Sequence, residues 1–261
     1  MVKRDTWNPS QYEKFEKERN LPFYDLVNLV RRQENLRVLD VGCGSGKLTQ
    51  YLHQNLAARE TIGVDASENM LTSARQLEGG GLRFEFGHIE DDSTSEKFDL
   101  VVSNSALQWV KGHEALFEKL RSKLQPNGQL AVQIPAMNLE PAHISVVETA
   151  QEFSEELEGY VCYFEVWKPE DYAKLLYKLG FVEQRVKLEI YPHILPSREA
   201  VVEWYRGTIL TTYEQRLDAE TYERFVSKYR EKVMSCLSDE RPFFFPYKRI
   251  LLWGRIGDSR D

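Results

Sequence analysis

Residues 36–65 read LRVLDVGCGSGKLTQYLHQNLAARETIGVD, and the fold is decided there. LRVLDV, residues 36–41, is a short apolar run that stops at glycines, the pattern of a strand buried on both faces of a parallel sheet. Leu48, Tyr51, Leu52 and Leu56 recur at helical spacing and predict a helix over 47–56. TIGVD, residues 61–65, is a second strand. Strand, glycine turn, helix and strand in that order make a βαβ unit, whose crossover is right-handed and whose strands lie parallel.

The same rhythm continues outward. Ser67 caps a helix that runs to about Leu77, and strands follow at 82–87 and 98–103. A helix over 113–124 ends at Pro126-Asn127-Gly128, a turn signal, and a fifth strand covers 129–134. After Pro135 the rhythm changes. Helices are predicted over 140–158, from Lys168 to Gly180, from Pro196-Ser197 onward, and around Tyr222, Phe225, Val226, Tyr229 and Val233. Residues 182–191 alternate apolar and charged, so they form a strand with one exposed face. A last strand falls within 243–256. The expected organisation is a single domain over 1–261. Residues 25–138 form its core, 139–168 and 195–240 are helical insertions that act as a lid, and 1–25 is an N-terminal part of that lid.

Composition narrows the class. The chain has 261 residues, 29% charged and 42% hydrophobic, a globular balance. Its net charge of −7 opposes nonspecific attraction to phosphate backbones, so no nucleic-acid partner is expected. No run of about 18 apolar residues predicts a membrane span. Cys43, Cys162 and Cys236 are odd in number and far apart, which speaks against a disulfide framework and for a cytoplasmic location. The five histidines show no metal-ligand spacing, so no metal is expected.

The chemistry concentrates at the carboxyl ends of the predicted strands. Gly42, Gly44 and Gly46 alternate between the first strand and its helix, more glycine than a turn needs. Glycine lets the backbone adopt positive φ and approach a ligand closely. The dinucleotide pattern G-x-G-x-x-G is broken, because Lys47 stands where the third glycine belongs. Asp40 lies just before the turn, where it repels a pyrophosphate and attracts an ammonium group. An amino acid joined to a nucleoside, S-adenosylmethionine, satisfies both conditions. Asp65 ends the second strand, 21 residues after Gly44, where a carboxylate can accept ribose hydroxyls. Ala66 follows it, and Met70, on the first turn of the next helix, is a candidate to pack on an adenine. Gly87-His88-Ile89-Glu90 ends the third strand, and Asn104, Ala106, Gln108 and Trp109 follow the fourth.

DVGCGSGKLT, GVDASENML, FDLVVSNSALQWV and LQPNGQLAVQIP resemble the successive motifs of class I S-adenosylmethionine-dependent methyltransferases. TWNPSQY, LAVQIPAMNLEPAH and YPHILPSREAVVEW narrow the resemblance to the trans-aconitate methyltransferases over nearly the whole chain. The resemblance implies an α/β fold with a Rossmann-like, seven-stranded, mostly parallel sheet. It implies that Gly42, Gly44 and Gly46 line the methionyl part of the cofactor, with Asp40 near its amino group and Asp65 on the ribose. His88 and Ile89 border the adenine, Asn104 and Ala106 line the crevice beside the sulfonium, and Trp7 and Tyr12 fold over the cofactor. Relatives carry Asp at His88, and an Arg where Thr211 follows Leu210.

The expected function is methylation of a small molecule, on a carboxylate oxygen. A carboxylate is ionised at neutral pH, so no obligate acid or base is assigned. Gln108, Trp109, His143, Tyr191 and Trp204 are candidates to position the acceptor. Val201, Trp204, Tyr205 and Thr208 share one helical face, so Arg206 points away from it. With Thr211 in place of an arginine, the sequence predicts an acid with fewer charges than trans-aconitate. The alternatives are a fatty or carrier-bound acid, another small-molecule acceptor, and a cofactor-binding module without activity. A nicotinamide dehydrogenase is the more distant reading.

Overall fold

A computed structural model describes residues 15–89 and 96–258. Helix α1 (Glu16–Val27) precedes β1 (Arg37–Val41), α2 (Lys47–Asn55), β2 (Glu60–Asp65), α3 (Glu68–Ala74), β3 (Leu82–Phe86) and β4 (Phe98–Asn104). Then come α4 (His113–Ser122), β5 (Leu124–Pro135), α5 (Pro141–Glu152), α6 (Pro169–Lys178) and β6 (Phe181–Leu195). The chain closes with α7 (Glu199–Arg206), α8 (Thr211–Glu214), α9 (Ala219–Cys236) and β7 (Phe243–Ile256). The chain divides into two units. One comprises Ala136–Phe164, Ile190–Tyr247 and the described residues up to Glu18; the other comprises Arg19–Pro135, Glu165–Glu189 and the chain from Lys248.

The sheet has seven strands in the order β3-β2-β1-β4-β5-β7-β6. β1 pairs in parallel with β2 and β4, β2 with β3, and β4 with β5, whereas β7 runs antiparallel to β5. The strand order reverses at β1. The connections from β1 and β4 therefore leave in opposite directions and open a crevice at the carboxyl edge, where open α/β sheets bind ligands. The apolar runs of β1 and β4 are buried on both faces: Val38, Leu100, Val101 and Val102 are at most 1% exposed. The Rossmann-like, mostly parallel sheet is thus the fold that the sequence implies.

Three local features differ from the sequence reading. Pro126-Asn127-Gly128 does not end an element but sits inside β5, which is continuous from Leu124. Phe98 pairs with Leu124 and Leu100 with Gln129, so the residues between form a bulge, and Asn127 takes φ 62° to make it. The helix expected over 140–158 stops at Glu152. The helix of Ser67 changes to a 3-10 turn at Arg75–Leu77. Ser67 itself caps α3 as expected, accepting from Met70 N at 3.1 Å.

The helical unit is held by aromatic rings. Tyr213 stacks on Phe225 with centroids 4.7 Å apart, and Phe153 meets Phe225 edge-on at 5.3 Å. Trp204 is enclosed by Phe15, His193, Phe245 and Tyr247 at 5.0–5.7 Å. The face predicted for α7 is the inner one: Val201, Trp204 and Tyr205 are buried, and Arg206 turns to Glu223 at 3.0 Å. No described helix is long and apolar enough to cross a membrane.

Candidate cofactor and acceptor site

The three glycines of the first turn have different tasks. All have positive φ: 80° at Gly42, 55° at Gly44 and 79° at Gly46. A Cβ on Gly42 would lie 2.3 Å from Ala106 Cβ, and one on Gly46 would lie 2.7 Å from the Phe84 ring and 2.9 Å from Ala74 Cβ. Close packing demands glycine at both. A Cβ on Gly44 would meet nothing within 4 Å. The space beside the turn is therefore open at Gly44, while Gly42 and Gly46 hold the shape of the turn. Gly42 N and Cys43 N both donate to Val64 O, at 2.8 and 3.1 Å, which ties the turn to β2. Cys43 packs with Leu71, Ala74, Leu82 and Phe84, in keeping with a structural rather than a chemical role.

Asp65 fixes this turn from the other side. Its Oδ2 accepts from Gly44 N at 2.8 Å, and its Oδ1 accepts from Ser67 N at 2.9 Å. The residue expected to bind a ribose thus also sets the geometry of the glycine turn, a second task that spacing alone does not reveal.

Asp40 is buried, and its Oδ2 accepts from Thr49 Oγ1 at 2.6 Å. Burial pushes its carboxyl up to about 7; the Thr49 hydroxyl opposes the shift and the charge of Asp65 adds to it. A positive group brought beside Asp40 relieves this strain by favouring the ionised form.

At the end of β3 the side chains are open. His88 is exposed, and its ring meets the edge of Phe86 at 5.5 Å and 83°. Phe86 is the register partner of Asp65 and is 51% exposed. Leu82 and Phe84 on the same strand face are buried, so period-two reading predicts burial for Phe86 and misses it as an aromatic surface. Ala66 is exposed and Ile89 half-buried, whereas Met70 is only 7% exposed.

The end of β4 carries a polar network. Ser105 takes φ 56°, a conformation costly for a non-glycine residue. Its carbonyl accepts from Gln108 Nε2 at 2.7 Å, and its hydroxyl donates to Gln133 Oε1 at 2.7 Å. Arg249, from β7, donates Nη1 to Ser105 Oγ at 2.9 Å and to Gln133 Oε1 at 3.1 Å. Among the described residues, the buried atoms Asn104 Oδ1, Gln108 Oε1 and Gln133 Nε2 have no hydrogen-bond partner. Trp109 is half-buried just beyond them.

The structure brings Asp40, the glycine turn, Asp65, Asn104, Ala106 and Gln108 together along β1, β2 and β4. An open glycine cradle, a carboxylate at the end of β2 and an unpartnered buried amide oxygen at Asn104 fit a ligand with ribose and amino-acid parts. His143, Tyr191 and Trp204 belong to the helical unit. His143 is buried beside Phe164 and Tyr205, and burial lowers its pKa to about 4, so it is neutral at physiological pH. Tyr191 and Trp204 are buried and neighbour His193. Trp7 and Tyr12 lie outside the described residues.

A family profile described as a methyltransferase domain matches residues 32–180. The trans-aconitate 2-methyltransferase of Deinococcus radiodurans is 38% identical over 252 residues, which cover 94% of this chain and 96% of that one. The enzyme of the same name from Variovorax paradoxus is 34% identical and covers 96% of both chains. Among solved structures, Haemonchus contortus phosphoethanolamine N-methyltransferase 2 with S-adenosyl-L-methionine superposes with a TM-score of 0.60 at 17% identity. It covers 95% of this chain and 56% of that one, a likeness of fold.

Proposed function

The chain belongs to the methyltransferase-domain family and, within it, to the trans-aconitate 2-methyltransferases, and from that premise we propose that it methylates a carboxylate oxygen of a small acid, trans-aconitate first among them. It is an S-adenosylmethionine-dependent methyltransferase. The observation that carries the site assignment is the open position at Gly44, tied by its own N–H to Asp65.

Bound S-adenosylmethionine supplies a methyl group on a sulfonium, open to in-line attack by a nucleophile. The chain's residues bind, orient and exclude water. In this reading Gly44 leaves room for the methionyl part, Asp65 accepts from the ribose hydroxyls, and Asp40 faces the ammonium. Ala66, His88, Ile89 and the exposed Phe86 border the adenine, Met70 supports that wall from the core, and Asn104 Oδ1 and Ala106 line the crevice. A carboxylate acceptor is ionised at neutral pH, so no residue has to remove a proton. The cysteine pattern supports a cytoplasmic setting, and the net charge of −7 supports a partner other than nucleic acid.

The acceptor is tested by a competition among trans-aconitate, simple dicarboxylates and medium-chain fatty acids, scored by kcat/KM. An alkali-labile methyl ester formed on one of these supports the reading. An alkali-stable product removes the carboxylate from it.

Asp40 gives a pH signature. Its carboxyl titrates near 7 in the free protein, and an ammonium beside it binds the ionised form. Affinity for S-adenosylhomocysteine therefore falls as pH drops below about 7, approaching tenfold per unit. Calorimetry between pH 5.5 and 8 reads this slope. Asp40→Asn should flatten it, and an unchanged slope in that variant removes Asp40 from the ammonium site.

A further inference from the structure

Three polar aromatic side chains line up inside the helical unit. His143 lies on the first turn of α5, Tyr205 on α7 and Tyr229 on α9. The ring centroids of His143 and Tyr205 are 6.3 Å apart, and those of Tyr205 and Tyr229 are 5.8 Å apart. Tyr229 is fully buried, and its Oη has no hydrogen-bond partner among the described residues. His143 and Tyr205 are buried as well. Burial alone lowers the pKa of His143; no hydrogen bond or neighbouring charge contributes. Burial raises both phenols, helped by Tyr247, Glu140 and Cys236 at Tyr205 and by Tyr205 and Cys236 at Tyr229. Both hydroxyls therefore keep their protons and can donate. A buried hydroxyl without a partner costs stability, and phenylalanine would fill the same space without that cost. The Tyr229 hydroxyl thus calls for a partner from outside the chain.

The donors decide the class of that partner. Two phenol O–H groups and an imidazole N–H match a group that only accepts, and an ionised carboxylate is such a group. The arginines of the same unit are turned to other tasks. Arg206 bonds to Glu223, Arg198 to Met234 O and Leu237 O, and Arg216 to Thr212 O beneath the Tyr160 ring. Neutral donors suit the reaction. Methylation removes the negative charge of the carboxylate, so a cation placed on that group would stabilise the ground state more than the transition state. A neutral donor bonds the carbonyl oxygen of the ester as well as the oxygen of the acid. We propose that His143, Tyr205 and Tyr229 bind the carboxyl group of the acceptor through neutral donors. This inference rests on the carboxylate reading above and gives that acceptor its binding residues.

The test compares wild type with Tyr229→Phe, His143→Phe and His143→Gln. Trans-aconitate, or whichever acid the competition above ranks first, is titrated into the S-adenosylhomocysteine complex by calorimetry. Affinity for S-adenosylhomocysteine itself and the Tm are the controls for folding. Tyr229→Phe should weaken acid binding by about 10-fold to 100-fold, the worth of one hydrogen bond to a charged group. KM should rise in step, while affinity for S-adenosylhomocysteine changes less than about threefold and the Tm stays level or rises. That combination separates a binding hydroxyl from a structural one, whose removal lowers the Tm and leaves acid affinity alone. His143→Phe should weaken acid binding in the same way, and His143→Gln, which keeps an N–H donor, should fall between. Unchanged acid affinity in Tyr229→Phe marks a hydroxyl served by a buried water and overturns the proposal. An equal loss of affinity for acid and for S-adenosylhomocysteine marks a general disturbance and overturns it too. Should the His143 variants fail to fold, Tyr229→Phe decides. A wild-type enzyme that methylates no carboxylate overturns the carboxylate reading itself, a different failure.

Discussion

Gly42→Ala should destabilise the fold far more than Gly44→Ala, while Gly44→Ala should cost more cofactor affinity than stability. At Gly42 a methyl would stand 2.3 Å from Ala106 Cβ, at φ 80°. The left-handed conformation costs an L-residue roughly 1–2 kcal/mol, and overpacking a tight contact adds about 1–3 kcal/mol. A loss of about 3 kcal/mol corresponds to a Tm lower by roughly 6–12 °C in a chain of this size. Ala106 can move only by disturbing Asn104 and Ser105, so activity should fall with stability. At Gly44 nothing lies within 4 Å of the added Cβ, so only the conformational cost remains, about 1–2 kcal/mol. The methyl would instead occupy the space assigned to the cofactor, and affinity for S-adenosylhomocysteine should drop by about tenfold to a hundredfold. Differential scanning calorimetry and titration calorimetry on the pair read both effects. Equal stability losses with unchanged affinity at Gly44 would show that the turn is merely a turn.

Asp65→Ala should have the largest effect on cofactor binding. The substitution removes the acceptors proposed for the ribose hydroxyls, worth about 1.5–3 kcal/mol each as hydrogen bonds to a charged group. It also strips Gly44 N and Ser67 N of their partner. The cradle then loosens as well as losing a contact. The expected fall in affinity for S-adenosylhomocysteine is about 100-fold to 1000-fold, roughly 3–4 kcal/mol, with a modest drop in Tm. Asp65→Asn keeps one acceptor oxygen and should lie between. Unchanged affinity in Asp65→Ala, measured by titration calorimetry, would reduce Asp65 to an anchor of the turn.

The cofactor half of the molecule was legible because its signals are local. LRVLDV, the glycine turn and Asp65 lie within 30 residues, and register in a parallel βαβ unit leaves little freedom in where they end. The division of labour among the glycines was not legible, since it depends on Ala106, Phe84 and Ala74, side chains brought in by other elements. The bulge at Pro126-Asn127-Gly128 shares its residues with a chain-reversing turn, and only the pairing of β4 with β5 distinguishes them. Arg249 lies 144 residues from Ser105, and nothing in the spacing tells that the closing strand runs antiparallel to β5 and brings the two within hydrogen-bond distance. The position of Gln108 directly after β4 predicts that it faces the acceptor. Its Nε2 instead supports Ser105 O, and only its Oε1 is without a partner among the described residues.

The most direct measurement is a crystal structure of the enzyme with S-adenosylhomocysteine and trans-aconitate. The expected result has the ribose hydroxyls within hydrogen-bond distance of the Asp65 carboxylate and the methionyl chain over Gly44. One acceptor carboxylate faces the sulfur. S-adenosylhomocysteine bound away from Gly44 and Asp65 would contradict the account.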